Sequence, residues 1–186
     1  MDISEYWKHL GNSHLFLNGI YNLVDTPYDI TPIMEKGGKP NGTLHYSLVP
    51  RIYHRQKEAV ETQSIMKYDS LEDVEDGRNF GFDLIIEQAK GLPPQYCYKT
   101  FARYKLFGQV CETDIMLGGT PVKTDPQFSF KKNFKFKMNK EIRNKLKNGV
   151  LVVDVYGQLE QQEYMRLKSK IEKKEDEKGE GDSLSK

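Results

Sequence analysis

The stretch 79–94 constrains the fold more than any other part of the chain, because a clear strand pattern ends there in two prolines. Apolar side chains recur at every second position, which places four of them on one face of a strand: Phe80, Phe82, Leu84 and Ile86. Gly81 and Asp83 point to the other face. Pro93 and Pro94 remove two ladder donors, so the strand cannot continue through them. We therefore predict a half-buried strand followed by a tight loop.

Alternating or β-branched stretches elsewhere predict an all-β chain. The predicted strands cover residues 13–21, 29–35, 43–49, 100–106, 110–116 and 150–157, with a phenylalanine-rich stretch at 124–137. Pro50 should end the third of these strands. The last strand is nearly continuous in β-branched residues, which predicts burial in the middle of a sheet. One short helix is predicted at 138–148, where Asn139 can cap the N-terminus.

Composition limits the partners and the compartment. The chain has 186 residues, 37% hydrophobic and 30% charged, which is enough for one good core or two small ones with charged segments left over. A formal net charge of +1 gives no whole-protein field for nucleic acid or membrane. No stretch approaches the roughly 20 apolar residues of a membrane span, and no leader pattern is visible. Cys97 and Cys111 are too few for a disulfide framework, so reduced thiols and a cytoplasmic location are expected.

Two polar segments flank the last predicted strands. Residues 69–76 carry five carboxylates and no base, a local charge of −5, which favours a solvated acidic linker. Their spacing is not that of a calcium loop with a central turn glycine, so calcium binding is the less favoured interpretation. From Glu160 the sequence predicts a polar helix, either solvated or the start of a coiled coil, with its apolar residues on one stripe: Tyr164, Leu167 and Ile171. A disordered tail is predicted past Lys173.

A basic patch is the one candidate binding site in the sequence. Eight cations stand against Glu141 alone, a local charge of +7: Lys131, Lys132, Lys135, Lys137, Lys140, Arg143, Lys145 and Lys147. The patch could hold anionic lipid headgroups, at about 1 kcal/mol per cation near the surface. It could instead be a solvated strand that discourages edge aggregation. A third alternative is that it docks the acidic segment 69–76 of the same chain.

Enzyme signatures are absent from the sequence. No Gly-x-x-x-x-Gly-Lys-Ser/Thr loop is present to hold a nucleotide phosphate. The four histidines are scattered, and none lies beside a candidate nucleophile: His9, His14, His45 and His54. We therefore predict no catalytic residue, no metal ligands and no cofactor, and hence no enzyme within this chain.

Residues 80–157 resemble a C2-type β-sandwich. The resemblance rests on a strand ending in Ala-x-Gly-Leu-Pro at 89–93, on Phe-Ala-Arg-Tyr-Lys-Leu at 101–106, and on two later motifs: Asp-Pro-x-Phe-x-Phe at 125–130 and Leu-x-Val-x-Val-Tyr-Gly at 151–157. Calcium-binding members of this class carry aspartates after the first and last strands, and here those loops supply no carboxylate cluster. The resemblance therefore implies a C2-like antiparallel sandwich without calcium control.

The strand count leaves the C2-like segment incomplete. C2-type sandwiches usually have eight strands, and only about five are visible in 79–158. Residues 10–49 have the pattern of the missing final strands, so we hypothesise a circularly permuted sandwich that the N-terminal strands complete; two small domains are the alternative. The predicted organisation is a three-strand segment, an acidic linker, a C2-like sandwich, and a charged helix with its tail: residues 7–52, 53–78, 79–158 and 159–186.

The N-terminal motifs, taken with the C2-like segment, resemble the non-motor stalk of kinesin-3 transport motors. The motifs are Leu10–Leu17 and Gly42–Pro50, which occur in that family in the same order before the sandwich-like region. The resemblance implies a non-catalytic module that binds a cargo adaptor or folds back on the motor head. It implies a cytoplasmic, cytoskeleton-associated protein that reaches microtubules only through a motor domain outside this chain, and it implies no nucleic acid partner.

A second function from another class stays open at this point. The chain could be a free-standing C2-like module that binds anionic membrane through its basic patch, or a ciliary or cytoskeletal scaffold. A motor domain encoded upstream would distinguish the two interpretations.

Overall fold

The computed structural model describes residues 7–53, 68–119 and 122–159, and β-strands dominate these ranges. Two helices are present there, α1 (Asn18–Tyr21) and α2 (Lys140–Asn148), together with 3₁₀ turns at Leu71–Asp73 and Pro94–Tyr96. The strands are β1 (Trp7–Phe16), β2 (Thr26–Met34), β3 (Pro40–Ile52), β4 (Asn79–Lys90), β5 (Lys99–Leu106), β6 (Gln109–Glu112), β7 (Met116–Leu117), β8 (Gln127–Lys137) and β9 (Val150–Gln158). The predictions for the C-terminal helix, coiled coil and tail fall outside the described residues.

The strands form one curled antiparallel sheet in the order β6-β5-β9-β1-β2-β3-β4-β8, with β7 paired to β5. Strands distant in this order face each other across the core, since the rings of Tyr104 on β5 and Phe134 on β8 lie 6.4 Å apart. The sheet bends between β1 and β2, whose register contains the single pair Asn12–Met34. The chain is therefore an all-β antiparallel sandwich with layers β6-β5-β9-β1 and β2-β3-β4-β8, and the predicted fold class is confirmed.

The N-terminal strands lie inside this sheet. β1 pairs with β9 from Trp7–Gln158 to Phe16–Val150, and β3 pairs with β4 from Thr43–Lys90 to Ile52–Phe80. The strands of residues 7–52 thus fill the space between the first and the last strand of the C2-like segment. This is the arrangement that the permuted-sandwich hypothesis requires.

Strand β4 has the inner face that its sequence predicts. Four side chains on that face are fully buried: Phe80, Phe82, Leu84 and Ile86. They belong to one buried cluster with inner residues of the other layer, among them Tyr104 and Leu106 of β5. Each such side chain contributes about 1.5–3 kcal/mol when it leaves water, so this apolar core is the main stabilising term.

The first strand differs from its prediction. It spans Trp7–Phe16, and residues 18–21 form α1, where the prediction had a strand at 13–21. A bulge lies between His9 and Gly11, and the missing side chain of Gly11 lets β1 approach β2 closely, since a Cβ there would lie 2.6 Å from the carbonyl oxygen of Met34. The alternation over 13–21 misled the prediction because it continues through the turn into α1, which buries Ile20 and Tyr21 by its own periodicity.

Pro50 does not end its strand, contrary to the prediction. β3 continues to Ile52, and Pro50 is paired with Phe82 of β4. The pairing of β2 with β3 ends at Thr26–Leu48, so at Pro50 one side of β3 has no β2 residue opposite it. Sheets tolerate proline at such positions, because the missing N–H breaks no ladder bond there.

The last strand lies in the middle of the sheet, as predicted, and is buried on one face only. β9 is central, with β5 and β1 as its neighbours, and its inner residues Leu151, Val153 and Val155 are buried. On the outer face, Val150 and Val152 are exposed. The sandwich has two layers only, so a central strand here has one covered face.

Candidate functional site

The eight cations of the predicted patch lie on three separate surfaces. Lys131, Lys135 and Lys137 occupy alternate positions on the outer side of β8, which is an edge strand. Lys132 is opposite Leu84 and so takes an inner position on that edge, a feature that discourages edge-to-edge pairing. The remaining four are on α2: Lys140, Arg143, Lys145 and Lys147. The eight cations, although close in sequence, therefore do not form one binding surface.

On the outer face of β3, β4 and β8, the charge of Lys131 is paired with a buried carboxylate. The Nζ of Lys131 lies 2.9 Å from Oδ2 of Asp83, whose side chain is 3% exposed. Arg51 donates to the same oxygen from Nε at 2.8 Å and from Nη2 at 2.6 Å. Asn133 donates from Nδ2 to the other oxygen at 2.7 Å. Both carboxylate oxygens are thus satisfied.

These donors keep Asp83 ionised. Burial alone would raise the pKa of its carboxyl, but the hydrogen bonds from Asn133, Lys131 and Arg51 outweigh burial, and the pKa is lowered. Lys135 is engaged on the same face, with its amine 5.0 Å from the centre of the Tyr53 ring. Lys131 and Lys135 are thus engaged by other side chains of the domain, which leaves less free positive charge on this face to bind an anion.

Arg143 of α2 holds the acidic segment 69–76 against the sandwich. Its Nε donates to the carbonyl oxygen of Leu71 at 2.8 Å, its Nη2 donates to that of Val74, and its Nη1 lies 2.6 Å from a carboxylate oxygen of Asp76. Leu71 and Val74 are buried beneath these contacts. The solvated-linker prediction is therefore wrong for this segment, because backbone carbonyls and two apolar side chains find partners on the folded domain.

Lys147 contacts the same segment more loosely. Its amine lies 3.8 Å from Glu72 and 5.1 Å from the centre of the Tyr21 ring. Tyr21 donates its hydroxyl to Glu72 at 2.7 Å. Arg143 and Lys147 thus contact the acidic segment of the same chain, which is the third alternative given above for the basic patch.

These contacts reduce the local charge. Lys145 pairs with Glu141 at 2.6 Å, and the other paired cations contact Asp83, Asp76 and Glu72. Asp83, Asp76 and Glu72 therefore offset part of the +7 that the sequence alone counts, although Asp83 is shared with Arg51, a cation outside the eight. An electrostatic attraction to an anionic surface is correspondingly weaker, and it is divided among three surfaces.

The outer face of β1, β9, β5 and β6 is covered at one end. Phe101 is fully buried although it lies outside the core, because the Trp7 ring meets its ring edge-on at 4.8 Å and the Tyr156 ring stacks on it at 5.0 Å. Next along the face are two polar pairs, a hydrogen bond between His9 and Asp154 at 2.8 Å and an ion pair between Arg103 and Glu112 at 2.9 Å.

The other end of that face, which we call the open end, is apolar and exposed. Its four large side chains have exposed fractions of 65%, 44%, 39% and 52%: Phe16, Val150, Val152 and Val110. Sequence reasoning missed them. Since Val150 and Val152 share the alternation of the polar residue Asp154, the period of β9 did carry a signal that they face outward.

A cleft adjoins the open end. Its volume is about 350 Å³, and its lining includes Leu17, Lys105, Leu106, Phe107, Lys145 and Val150. Phe107 lies in the two-residue turn between β5 and β6 with φ 47°, and Gly108 follows with φ 85°. Such turns favour Asn or Gly, so a phenylalanine there is held against its backbone preference.

The remaining candidate chemical groups are separate from one another. Burial and, second, Asp125 raise the pKa of the Cys97 thiol to about 11, which disfavours the reactive thiolate. His45 is buried between the Tyr28 hydroxyl and Oγ1 of Thr43, and burial lowers its pKa. Across residues 7–53, 68–119 and 122–159, no three His, Cys, Asp or Glu side chains group as a metal site, and no helix is long and apolar enough to cross a membrane. His54 falls outside these ranges.

Comparison with known proteins adds no relative, since no protein-family model and no curated protein matches the chain. Function is therefore inferred from the residues and their geometry.

Proposed function

We propose that this chain is a non-catalytic protein-binding module of a kinesin-3 type microtubule motor, where it binds a cargo adaptor or folds back on the motor head. The observation that carries the proposal is the order of the motifs at 10–17, 42–50 and 80–157, which resembles the stalk of that family. The motor ATPase would lie outside these residues.

The position of the motifs in the sheet supports this proposal. The first motif lies in β1, which pairs with β9, and the second lies in β3, which pairs with β4. All three motifs are thus parts of one hydrogen-bonded sheet. A single rigid sheet that presents fixed surfaces suits a module that binds another protein.

The pairing of the cations favours a protein partner over an anionic membrane. A polybasic membrane site depends on several unpaired cations on one surface. Here Lys131, Arg143 and Lys147 contact carboxylates of the folded domain, and the eight cations are divided among three surfaces. The alternative, a free-standing membrane module, has less support for this reason.

Microtubule co-sedimentation of the endogenous protein tests the proposal. A cell extract is incubated with microtubules and a non-hydrolysable ATP analogue, and the pellet is probed with an antibody against residues 79–158. We expect a band several times larger than 21.6 kDa that pellets with the microtubules and is released by ATP. A band at 21.6 kDa that stays in the supernatant under both conditions would rule out the motor assignment.

A further inference from the structure

We infer that the open end and its adjoining cleft bind an amphipathic helix whose apolar stripe is flanked by carboxylates. This inference deepens the proposed function and rests on it only in that the partner is a protein. It assigns the binding role to the outer face of β1, β9, β5 and β6, and not to the basic patch that the sequence predicts.

Phe16, Val150 and Val152 form the contiguous part of the open end, and Val110 lies beyond Lys105 of β5, the strand between β6 and β9. Phe16 is paired with Val150 across β1 and β9, and Val152, the next outward residue along β9, is paired with the exposed His14 of β1. Lys105 is paired with Val110 across β5 and β6, which extends the surface toward that edge. Exposed apolar residues scattered singly need no explanation, but a continuous patch bordered by polar residues is typical of an interaction site.

The covered end of the same face shows that the chain can bury such residues itself. Phe101 is fully buried by Trp7 and Tyr156, whereas Phe16 remains 65% exposed on the same side of the sheet. The two ends therefore differ in whether aromatic residues of the chain lie over them. At the open end, a partner would take the place that Trp7 occupies at the covered end.

The cleft is a shallow depression, more open than enclosed, against which a large side chain can pack. Leu17, Leu106 and Val150 contribute apolar lining. Phe107 is fixed despite its unfavourable φ, because the Phe136 ring packs edge-on against it at 4.8 Å and the Lys145 amine lies 5.7 Å from its centre. Unfavourable backbone conformations persist where the surroundings enforce them, and they cluster at binding and active sites.

The charges beside the apolar residues are positive. Lys105 and Lys145 line the cleft, whereas Arg103 and His9, farther along the face, already have carboxylate partners. The partner of Lys145 is Glu141 on the same helix, and both side chains are more than half exposed, so this pair is weak and exchangeable. Carboxylates at the border of an incoming apolar stripe would complement these two lysines.

The geometry favours a helix over an added strand. The centre of the open end, Val150 and Val152, lies on β9, which has β5 and β1 on its two sides, while the edges of the sheet are β6 and β8. A partner on this face meets side chains and not a free strand edge, so it must satisfy its own backbone hydrogen bonds. A helix does so, and it presents apolar residues at i, i+3, i+4 and i+7 to a groove.

A displayed library of alanine-based helices, randomised on one face and selected against the full chain, tests the inference. We expect selected helices to carry large apolar residues along one stripe with Asp or Glu beside it. Binding of a selected helix should weaken at least about tenfold with Phe16→Ser or Val150→Thr, as for residues central to an interface. The matched control is Val122→Thr, since Val122 is 49% exposed outside the open end and should leave binding unchanged.

Charge reversal provides the second arm. Lys105→Glu should weaken a selected helix, and replacing the acidic residues of that helix by lysine should restore its binding to the Lys105→Glu variant. Lys123→Glu is the control, because Lys123 lines a different pocket with Cys97, near the other end of β9. Both arms use substitutions at exposed positions, so loss of binding can be separated from loss of folding by the thermal unfolding midpoint.

Three outcomes would overturn the inference: no enriched helix, enriched helices without acidic residues, or binding that Val150→Thr leaves unchanged. Sedimentation with vesicles of phosphatidylcholine and phosphatidylserine is run in parallel. If vesicles bind and Phe16→Ser abolishes that binding while no helix is enriched, the open end is a membrane site and the inference is wrong. If a helix binds at the open end but the endogenous protein shows no ATP-released association with microtubules, the inference stands and the motor assignment is wrong.

Discussion

On the outer face of β3, β4 and β8, the carboxylate of Asp83 is enclosed by Arg51, Lys131 and Asn133, whereas the outer face of β1 and β9 ends in exposed Phe16 and Val150. The first face is completed by the chain's own hydrogen bonds. The second is completed only where Trp7 lies over the sheet. Around Asp83 the outer face is closed by polar contacts within the chain, whereas Phe16 and Val150 leave apolar surface exposed on the other layer.

The largest expected effect separates the two ends of the apolar face. Phe101→Ala should lower the free energy of unfolding by about 3 kcal/mol, since it removes a fully buried ring from between Trp7 and Tyr156. The same substitution at Phe16, which is exposed, should change it by less than about 0.5 kcal/mol. Urea unfolding midpoints at constant m-value measure both variants. Equal losses at the two positions would show that Phe16 is as well covered in solution as Phe101.

The next effect tests the completed face. Asp83→Asn should destabilise the fold by about 2 kcal/mol, less than for a fully buried pair because Arg51 and Lys131 keep some contact with water. Asp25→Asn, at an exposed position, is the matched control. Because the folded pKa of Asp83 is lowered, its contribution is present above the ordinary value of 3.8 and is lost as the pH falls toward the folded pKa. Acid titration of unfolding should therefore show a smaller loss below about pH 4 in the variant.

Arg143 is the cation of α2 that makes hydrogen bonds to the acidic segment. Arg143→Met should destabilise the fold by about 1 kcal/mol, because the carbonyls of Leu71 and Val74 lose their donor. Amide hydrogen exchange in residues 70–76 should accelerate at the same time. Lys140→Met on the exposed side of α2 serves as the control and should change neither measurement. Unchanged exchange in Arg143→Met would show that the segment is held by Leu71 and Val74 alone.

The smallest effect concerns His45, which lies on the outer side of β3 between Tyr28 and Thr43. Burial and then the charge of Lys90 lower its pKa, with Asp125 opposing them. The unfolded chain takes up this proton near the ordinary value of 6.5 and the folded chain only at lower pH, so the free energy of unfolding falls as the pH drops below 6.5. His45→Gln should remove that part of the pH dependence, whereas His14→Gln, at an exposed position, should retain it. Identical slopes in the two variants would contradict the assignment.

Sequence patterns predicted an element correctly where its burial or its cap depends on residues within the element itself. The period of two in β4 matched its inner face, and Asn139 caps α2 through a hydrogen bond from the Ile142 N–H at 2.9 Å, as its sequence indicates. The same reasoning failed at Pro50, because its tolerance depends on where β2 stops pairing with β3. A neighbouring strand decides such positions, and the local sequence does not contain it.

The candidate site was harder to predict than the fold. Eight cations close together in sequence indicated one patch, yet the turn from β8 into α2 and the long-range partners Asp83 and Asp76 divide it. The open end gave a different error, since Val150 belongs to a strand that was predicted to be buried and Phe16 was assigned to no face. Their exposure follows from which face of β1 and β9 the second layer covers, and that is a property of the assembled sandwich.

The pairing of Trp7 with Gln158 has a mechanical consequence. A chain that enters the module at β1 and leaves it at β9 does so at neighbouring points, about 5 Å apart across two paired strands. Tension between the two ends would therefore load the β1–β9 hydrogen bonds one after another from the Trp7 end, as in opening a zipper, and not all together in shear. Within a longer polypeptide, the folded module would therefore add almost no length between the segments that precede and follow it. Under tension it would unfold from the end at which both segments attach.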